Sequence, residues 1–421
     1  MTTMTQVSVS EQARLGHREV TGGVDTHKDT HTAAAVDARG QVLGHREFPA
    51  TQAGYAALLA WLRGFGQLLV VGVEGTGVYG AGLTQYLQAG GVELVEVDRP
   101  DRTARRRHGK SDPVDALAAA RAAQSGRATG IPKTRGGRVD ALRALRVARR
   151  SAVAARADAQ RRIKSLLVAA PDPLRAQLRE LGVRELVAHC ATRRPDRAAA
   201  ADPTTATVLA LRSLARRHQQ LSTEITELDA LITPLVTALN PTLLTLAGVG
   251  PDVAGQLLVT AGDNPHRLRS DAAFAMLCGA APLPASSGRT TRHRLNRGGD
   301  RHANAALHRI VLCRLHWDPR TRAYAQQRTT EGLSKPEIIR CLKRYVAREV
   351  YTALLNPALL TPHPLTPAPS SVPASSCAAP EESTCSARSA ARTNDVDTDQ
   401  RRKTITAGGR TTPDNPTRNT T

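Results

Sequence analysis

The chain has 421 residues, of which 41% are hydrophobic and only 3% aromatic, and its formal net charge is +21. This length predicts two or three compact units, with cores built mainly from Leu, Val and Ala. The N-terminus lacks a signal-peptide pattern and no apolar run is long enough to span a bilayer. We therefore expect a cytoplasmic protein with no membrane partner.

The positive charge is concentrated in the first 362 residues, because the segment from His363 onward has seven basic and six acidic residues. A basic folded body favours a polyanionic partner, since Lys and Arg placed on phosphates release counterions. We favour nucleic acid as that partner, and the alternative is a basic surface that only maintains solubility. The six cysteines are scattered without zinc-type spacing, and we expect them to be reduced.

The first part of the chain alternates strand and helix patterns. Residues 1–18 are polar and predict a flexible N-terminus. Strands are predicted over 20–25, 32–36 and 41–48, and the last two are joined by a glycine-containing turn typical of a hairpin. A helix from residue 51, a buried strand over 68–73, a helix over 78–88, a strand over 92–97 and a helix over 113–123 follow. This order predicts a mixed α/β domain of the ribonuclease-H-like kind over residues 19–130.

Acidic residues lie at the ends of two apolar strands and at the start of the last of these helices. Asp25 ends the first strand, Glu74 ends the central one, and Asp112 and Asp115 begin the helix. Asp112 is predicted to be its N-cap, with Pro113 at the first helical position. Sites in open α/β sheets gather at the carboxyl ends of strands, and acids three residues apart share one helix face.

These four carboxylates can therefore converge on one point. Hard cations such as Mg²⁺ take oxygen ligands, so the cluster predicts a metal-dependent phosphodiester site. Taken singly, an acid such as Asp112 is more often a helix cap than a metal ligand, and one such as Asp115 is more often a solvated acid of the first helical turn.

Residues 138–239 predict a helical, coiled-coil connector. An Arg-rich helix over 138–168 is followed by helices over 174–189 and 205–239. The last helix carries an apolar stripe close to heptad spacing, at Leu211, Leu214, Leu221, Ile225, Leu228, Leu231, Ile232 and Leu235. Such a stripe pairs either two subunits or two helices of one chain, and we expect dimerisation.

Residues 240–357 predict a mainly α-helical C-terminal domain. The sequence LAGVGP at 246–251 has the pattern of a helix-hairpin-helix turn, whose glycines let the backbone approach a phosphate. An ordinary turn between two helices is the alternative. A Pro/Gly/Ser loop containing Ser286 and Ser287 leads into an arginine-rich stretch, and helices are predicted over 302–315 and 334–354. Composition predicts a disordered tail over 363–421.

Five motifs occur in one order along the chain: GVDTHKD, VEGTGVYG, GKSDPVDA, LAGVGP and, after the Ser-Ser-Gly loop, RGGDRHANAAL. Together they resemble the DEDD-type insertion-sequence transposases, a family that includes the Piv-like DNA invertases and is described as bridge-RNA-guided recombinases. The resemblance covers residues 20 to 355 and leaves out the tail.

The resemblance implies a RuvC-like N-terminal domain and a C-terminal transposase domain with a nucleophilic serine. The implied metal-binding acids are Asp25, Glu74, Asp112 and Asp115, and the implied nucleophile is Ser287 or its neighbour Ser286. The implied chemistry is Mg²⁺-assisted serine attack through a covalent phosphoserine–DNA intermediate. The implied partners are donor and target DNA, a bridge RNA, and further copies of the chain in a dimer or tetramer.

The residues themselves leave two other functions open. A RuvC-like structure-specific nuclease would use the same acids with metal-activated water and no serine. A non-catalytic nucleic-acid-binding protein would use only the basic surface.

Overall fold

The computed structural model describes residues 18–97, 111–286 and 293–355. The N-terminal part is built on a five-stranded sheet of β1 (Glu19–Thr26), β2 (Thr30–Asp37), β3 (Val42–Pro49), β4 (Gln67–Glu74) and β5 (Leu94–Val97). The strand order is β3-β2-β1-β4-β5, in which β2 is antiparallel to both neighbours while β1, β4 and β5 run parallel. The carboxyl ends of β1 and β4 therefore meet at one edge, as the sequence predicts.

Three helices pack with this sheet: α1 (Gln52–Arg63), α2 (Ala81–Ala89) and α3 (Asp112–Gln124). The predicted start of α2 at residue 78 is wrong, because a turn over 75–80 precedes it. Gly75 adopts φ +79°, and the Gly80 N–H donates to the Gly75 carbonyl at 3.2 Å, which closes this turn before the helix begins.

The start of α3 also differs from the prediction. The N-cap is Ser111, so Asp112 is the first helical residue and Pro113 the second. Ser111 makes no side-chain capping hydrogen bond. A carboxylate in the first turn interacts favourably with the positive end of the helix dipole without acting as a cap. Asp112 is thereby left without a capping role.

Helix α3 lies unusually close to the sheet because small residues face each other. A Cβ atom added at Gly23 of β1 would lie 2.1 Å from the Ala120 backbone nitrogen and 2.2 Å from the Ala116 carbonyl oxygen. At Gly72 of β4 it would lie 2.5 Å from the Ala119 carbonyl oxygen. Real side chains never approach a backbone so closely, so α3 rests on the strands through main-chain contact.

A buried histidine lies in the core beneath the sheet edge. His31 on β2 is fully buried, and its ring stacks on Tyr55 of α1 with 5.6 Å between centroids. Burial lowers the pKa of His31 below its ordinary value, and the backbone of Thr30 offsets this effect only in part. The neutral imidazole is therefore the form that the folded protein stabilises.

This histidine predicts loss of stability in acid. Because its pKa is lower in the folded than in the unfolded state, the unfolded chain binds more protons below its ordinary pKa of 6.5, and stability falls as the pH drops further. We expect His31→Phe, which retains the stacking on Tyr55, to reduce the loss between pH 7.5 and 5.5 by at most about 1.4 kcal/mol. Urea unfolding at the two pH values measures this loss. The exposed-site variant His45→Phe should lose as much as the wild type, and an identical loss in all three proteins would contradict the prediction.

A long helical arm follows, made of α4 (Arg138–Val168), α5 (Asp172–Leu178), α6 (Val183–Thr192) and α7 (Pro203–Leu239). The single helix predicted over 174–189 is wrong, because the chain breaks over 179–182 and forms α5 and α6. Helices α4 and α7 run against each other. At the far end of the arm Leu211 of α7 packs with Ile163 of α4, and near its base Ile232 clusters with Leu142.

The apolar stripe of α7 is thus used within the chain over most of its length. Leu231 is the exception, with 56% of its surface exposed. Ion pairs add to the intramolecular contact at the base of the arm: the Arg149 guanidinium binds both Asp229 of α7 and the Asp252 carboxylate, the latter at 3.2 Å. The structure therefore shows the second alternative for this stripe, and a subunit contact stays a prediction.

The C-terminal part is mainly helical. It contains α8 (Pro241–Thr245), α9 (Pro251–Ala261), a 3₁₀ turn (Pro265–Arg267), α10 (Asp271–Leu277), α11 (Arg301–Trp317), α12 (Pro319–Thr330) and α13 (Lys335–Leu355), with a short ribbon of β6 (Leu283–Pro284) and β7 (His293–Arg294). Its core surrounds Phe274, which is fully buried. The sequence predicts α11 and α13 closely but misses α12 and the ribbon.

The glycines of LAGVGP lie in two different environments. Gly248 has φ +77°, and a Cβ atom there would lie 3.3 Å from the Ile310 carbonyl oxygen of α11. Gly250, the N-cap of α9, faces open space. Gly248 therefore serves the packing of two helices, as in the ordinary-turn alternative, while Gly250 leaves its backbone accessible.

The segment before α4 crosses from the sheet to the C-terminal helices. Gly130 pairs with Glu96 of β5, and the Lys133 ammonium donates to the Val259 carbonyl of α9 at 3.2 Å. The Asn264 side chain accepts from the Thr134 N–H at 3.0 Å. This segment fastens the sheet to α9. The predicted boundaries at 19–130, 138–239 and 240–357 stay predictions, and the expected flexible N-terminus and disordered tail lie outside the described residues, apart from Arg18.

Candidate functional site

Two of the four predicted acids lie side by side at the carboxyl edge of the sheet. Asp25 of β1 and Glu74 of β4 are register partners on neighbouring parallel strands. Asp25 is 8% exposed, and Glu74 is half-buried. The Thr26 hydroxyl donates to the Glu74 carbonyl at 2.8 Å, which ties the two strand ends together beside the acids.

The other two acids come from the first turn of α3. Asp115 is 3% exposed, whereas the Asp112 side chain is 46% exposed at the start of the helix. The close contact between α3 and Gly23 brings this turn over the end of β1. The structure therefore places Asp112 and Asp115 near Asp25 on one side of the strand edge, and Glu74 beside Asp25 on the neighbouring strand.

The electrostatics of Asp25 follow from this crowding. Burial is the main cause that raises the pKa of Asp25, and the nearby carboxylates of Asp115 and Asp112 raise it further. His27 acts in the opposite direction. Ionised carboxylates held together in a poorly hydrated place are unfavourable without positive charge, so the cluster favours cations.

A histidine that the sequence prediction overlooked completes the cluster. His27 Nδ1 lies 3.8 Å from Asp25 Oδ2, and its Nε2 lies 3.9 Å from Asp112 Oδ1. One donor atom from each of these three side chains lies within 4.8 Å of the other two. The signal was present in GVDTHKD, because His27 stands two residues after Asp25, directly behind the end of β1, and residues two apart in extended chain project to the same side.

The donor set fits a divalent cation. Carboxylate oxygens are the ligands that hard cations prefer, and a bound cation would offset the repulsion that raises the pKa of Asp25. Within this cluster Asp25, His27 and Asp112 each have a donor atom within 4.8 Å of the other two, while Glu74 and Asp115 add carboxylates at the same edge.

Hydrogen bonds fix the start of the loop that carries the candidate serine. The Asn304 amide of α11 donates to the carbonyls of Cys278 and Gly279, each at 2.9 Å, and the Lys343 ammonium donates to the Asn304 carbonyl oxygen at 3.0 Å. The Asp300 N–H donates to the Leu277 carbonyl at 2.6 Å on the returning side. Both ends of the loop are therefore attached to the end of α10.

Part of this loop can be described directly. Ser286 is exposed just after β6, and Ser287 lies outside the described residues. The strands β6 and β7 pair Leu283 with Arg294. Arg294, Arg297 and Arg301 are exposed on the returning side, so cationic groups lie close in sequence to the serines.

Of the described helices, none is both long and apolar enough to cross a membrane.

The sheet order and the acid cluster are consistent with a RuvC-like domain, which defines the class as a DNA-processing enzyme. The family model of the IS110-type DEDD transposases, described as a transposase, matches residues 22–170. A second model, described as transposase of the IS116/IS110/IS902 family, matches residues 240–326. The two matches cover more than half of the sequence, and the chain belongs to the IS110 family of transposases. No curated protein matched this sequence.

The two family matches together contain all of the candidate site residues. The first match contains Asp25, Glu74, Asp112 and Asp115, and the second contains Ser286 and Ser287. The substrate of a transposase is DNA, which agrees with the net charge of +21.

Proposed function

We propose that this transposase moves an insertion sequence by cutting and rejoining DNA through serine attack assisted by a divalent metal, Mg²⁺. The observation that carries the proposal is the convergence of acids on the buried Asp25 within a chain of the IS110 family. Asp25, Glu74, Asp112 and Asp115 hold the metal. When bound, the metal stabilises negative charge on the attacking and leaving oxygens of the phosphodiester.

The protein contributes the nucleophile and its surroundings. The Ser287 Oγ–phosphorus bond forms while the bond from phosphorus to one deoxyribose oxygen breaks. The hydroxyl proton leaves the serine, and a proton is added to the departing sugar oxygen. A serine hydroxyl is a weak nucleophile until a base or metal activates it, so serine and acids must meet on one phosphate.

The product is a phosphoserine ester between protein and DNA. Attack on that ester by a sugar hydroxyl of another strand restores a phosphodiester and frees the serine, so rejoining needs no ATP. The exposed arginines that follow the serines, Arg294 of β7, Arg297 and Arg301 at the start of α11, are suited to neutralise the phosphate during both steps. Ser286, one residue away and exposed, is the alternative nucleophile.

The partners follow from the same resemblance. Donor and target DNA are the substrates, and a bridge RNA selects them by base pairing, so that the protein reads duplex shape and charge. The active form is a dimer or tetramer working in the cytoplasm. Leu231 on α7 is an exposed apolar residue available to a subunit contact.

A covalent-adduct assay tests the serine step. Full-length protein, Mg²⁺, labelled element-end DNA and the element's non-coding RNA are mixed and separated on a denaturing gel. We expect a protein-linked band that disappears in Ser287→Ala and in Asp25→Ala but persists in Ser286→Ala. Loss in Ser286→Ala alone would move the nucleophile by one residue.

Two other outcomes point to the alternative functions. Free cleaved ends that are unaffected by Ser287→Ala would indicate a RuvC-like nuclease that uses water. DNA binding without either product would leave only a nucleic-acid-binding protein. A reaction without the RNA tests whether the RNA guides the protein to its DNA site. If the adduct forms there in equal yield and at the same site, RNA guidance is contradicted.

A further inference from the structure

His27 lies between two acids of the site in a position that its backbone fixes. It follows β1 directly, and its N–H donates to the Thr30 carbonyl at 3.0 Å in the turn that leads into β2. The preceding residue, Thr26, is buried and bonded to the Glu74 carbonyl. The imidazole is therefore presented from a tight turn, with 44% of its side chain exposed.

The separations around the ring are too long for hydrogen bonds. The 3.8 Å to Asp25 and 3.9 Å to Asp112 exceed the range of about 2.7–3.2 Å for N–H donors and oxygen acceptors. The half-exposed imidazole therefore lies between the two acids without a hydrogen bond to either of them.

The three side chains each have a donor atom close enough to surround one cation. Ligands about 2.1 Å from an octahedral ion stand about 3 Å apart when adjacent and about 4.2 Å apart when opposite. The 3.8 Å and 3.9 Å separations involve different ring nitrogens, of which an imidazole uses only one for a given ion. One nitrogen of His27 and one oxygen of each acid nevertheless lie within 4.8 Å of one another, close to this interval. Imidazole nitrogen is a common ligand of transition-metal ions and suits them better than it suits Mg²⁺.

We propose that His27 is a nitrogen ligand of the divalent cation bound by Asp25 and Asp112. The site then has a mixed oxygen and nitrogen donor set, which favours Mn²⁺ over Mg²⁺ more strongly than four carboxylates alone. This inference rests on the proposed metal site and adds a ligand to it.

The test uses Mn²⁺ as the probe on full-length protein without DNA or RNA, so that it does not depend on catalysis. Electron spin echo measurements detect the magnetic coupling of a directly bound ¹⁴N nucleus to Mn²⁺, and a titration gives the dissociation constant. We expect the ¹⁴N coupling in the wild type, its loss in His27→Ala, and at least about tenfold weaker Mn²⁺ binding in that variant. His45→Ala, which removes an exposed histidine of β3, is the matched control and should keep both properties.

The remaining variants separate this inference from the proposed function. Mn²⁺ bound without ¹⁴N coupling, or with equal affinity in His27→Ala, overturns the role of His27 and leaves a carboxylate metal site intact. Affinity unchanged in Asp25→Asn, or no Mn²⁺ binding by the wild type, overturns both. Thermal melting of each variant without metal shows whether a loss of binding follows from unfolding.

Discussion

Asp25→Asn is expected to reduce DNA cutting and rejoining by at least about 10²–10³-fold while the protein stays folded. The carboxylate is 8% exposed, and the amide occupies nearly the same volume. Because burial and the neighbouring Asp115 and Asp112 raise the pKa of Asp25, its ionised form destabilises the folded protein at neutral pH. We therefore expect the free energy of unfolding to be unchanged or to rise by about 1 kcal/mol.

The measurement pairs adduct formation in Mg²⁺ with urea unfolding of the same preparations. Asp29→Asn is the control, since it makes the same change of net charge at an exposed position four residues away. It should retain DNA binding and activity. Wild-type activity in Asp25→Asn would contradict the proposed site, and activity lost together with the fold would show only a structural role.

Gly23→Ala is expected to lower the free energy of unfolding by about 3 kcal/mol or more. The added methyl group would lie 2.1 Å and 2.2 Å from backbone atoms of Ala120 and Ala116, and a backbone cannot move aside as a flexible side chain can. Helix α3 must shift away from β1, which also moves Asp112 and Asp115 away from Asp25. We expect activity to fall even under conditions in which the variant remains folded.

Urea unfolding and circular dichroism measure the effect, and Gly77→Ala is the matched control. A Cβ atom at Gly77 would meet nothing within 4 Å, so its stability should stay within about 0.5 kcal/mol of the wild type. Equal stability of Gly23→Ala and the wild type would mean that α3 does not rest on the strand as described.

Sequence patterns predicted the sheet well because its central strand, β4, is a continuous apolar run and a glycine-containing turn marks the β2–β3 hairpin. The run from Leu68 to Val73 is continuously apolar, so alternation was not needed to recognise it, and the structure buries its last three residues, 71–73. The turn before α2 was missed because Val78 and Tyr79 resemble helix residues, while the left-handed φ of Gly75 depends on the local chain path. The ribbon β6–β7 consists of only two residue pairs, Leu283 with Arg294 and Pro284 with His293, and is too short for any periodicity.

The candidate site was predictable in its residue types and less so in its geometry. Strand ends and helix starts indicated Asp25, Glu74, Asp112 and Asp115, since acids rarely follow such apolar strands. The sequence pattern carried no information on how deeply each acid is buried. The contrast between the buried Asp115 and the exposed Asp112 emerged only from the packing of α3. His27 was overlooked because a single histidine is weak as a signal until the acids around it are located.

The main-chain contact between α3 and the strands also determines which amino-acid substitutions this part of the protein can accommodate. Substitutions in most cores alter side-chain volume, and neighbouring side chains adjust to them. Here the position of the first turn of α3 is set where Gly23 and Gly72 meet the helix backbone, and no side chain lies between to absorb an error. A change of side-chain volume at a buried leucine of α1, such as Leu58 or Leu62, can therefore be met by adjustment of neighbouring side chains, whereas a side chain at Gly23 or Gly72 would have to displace helix backbone.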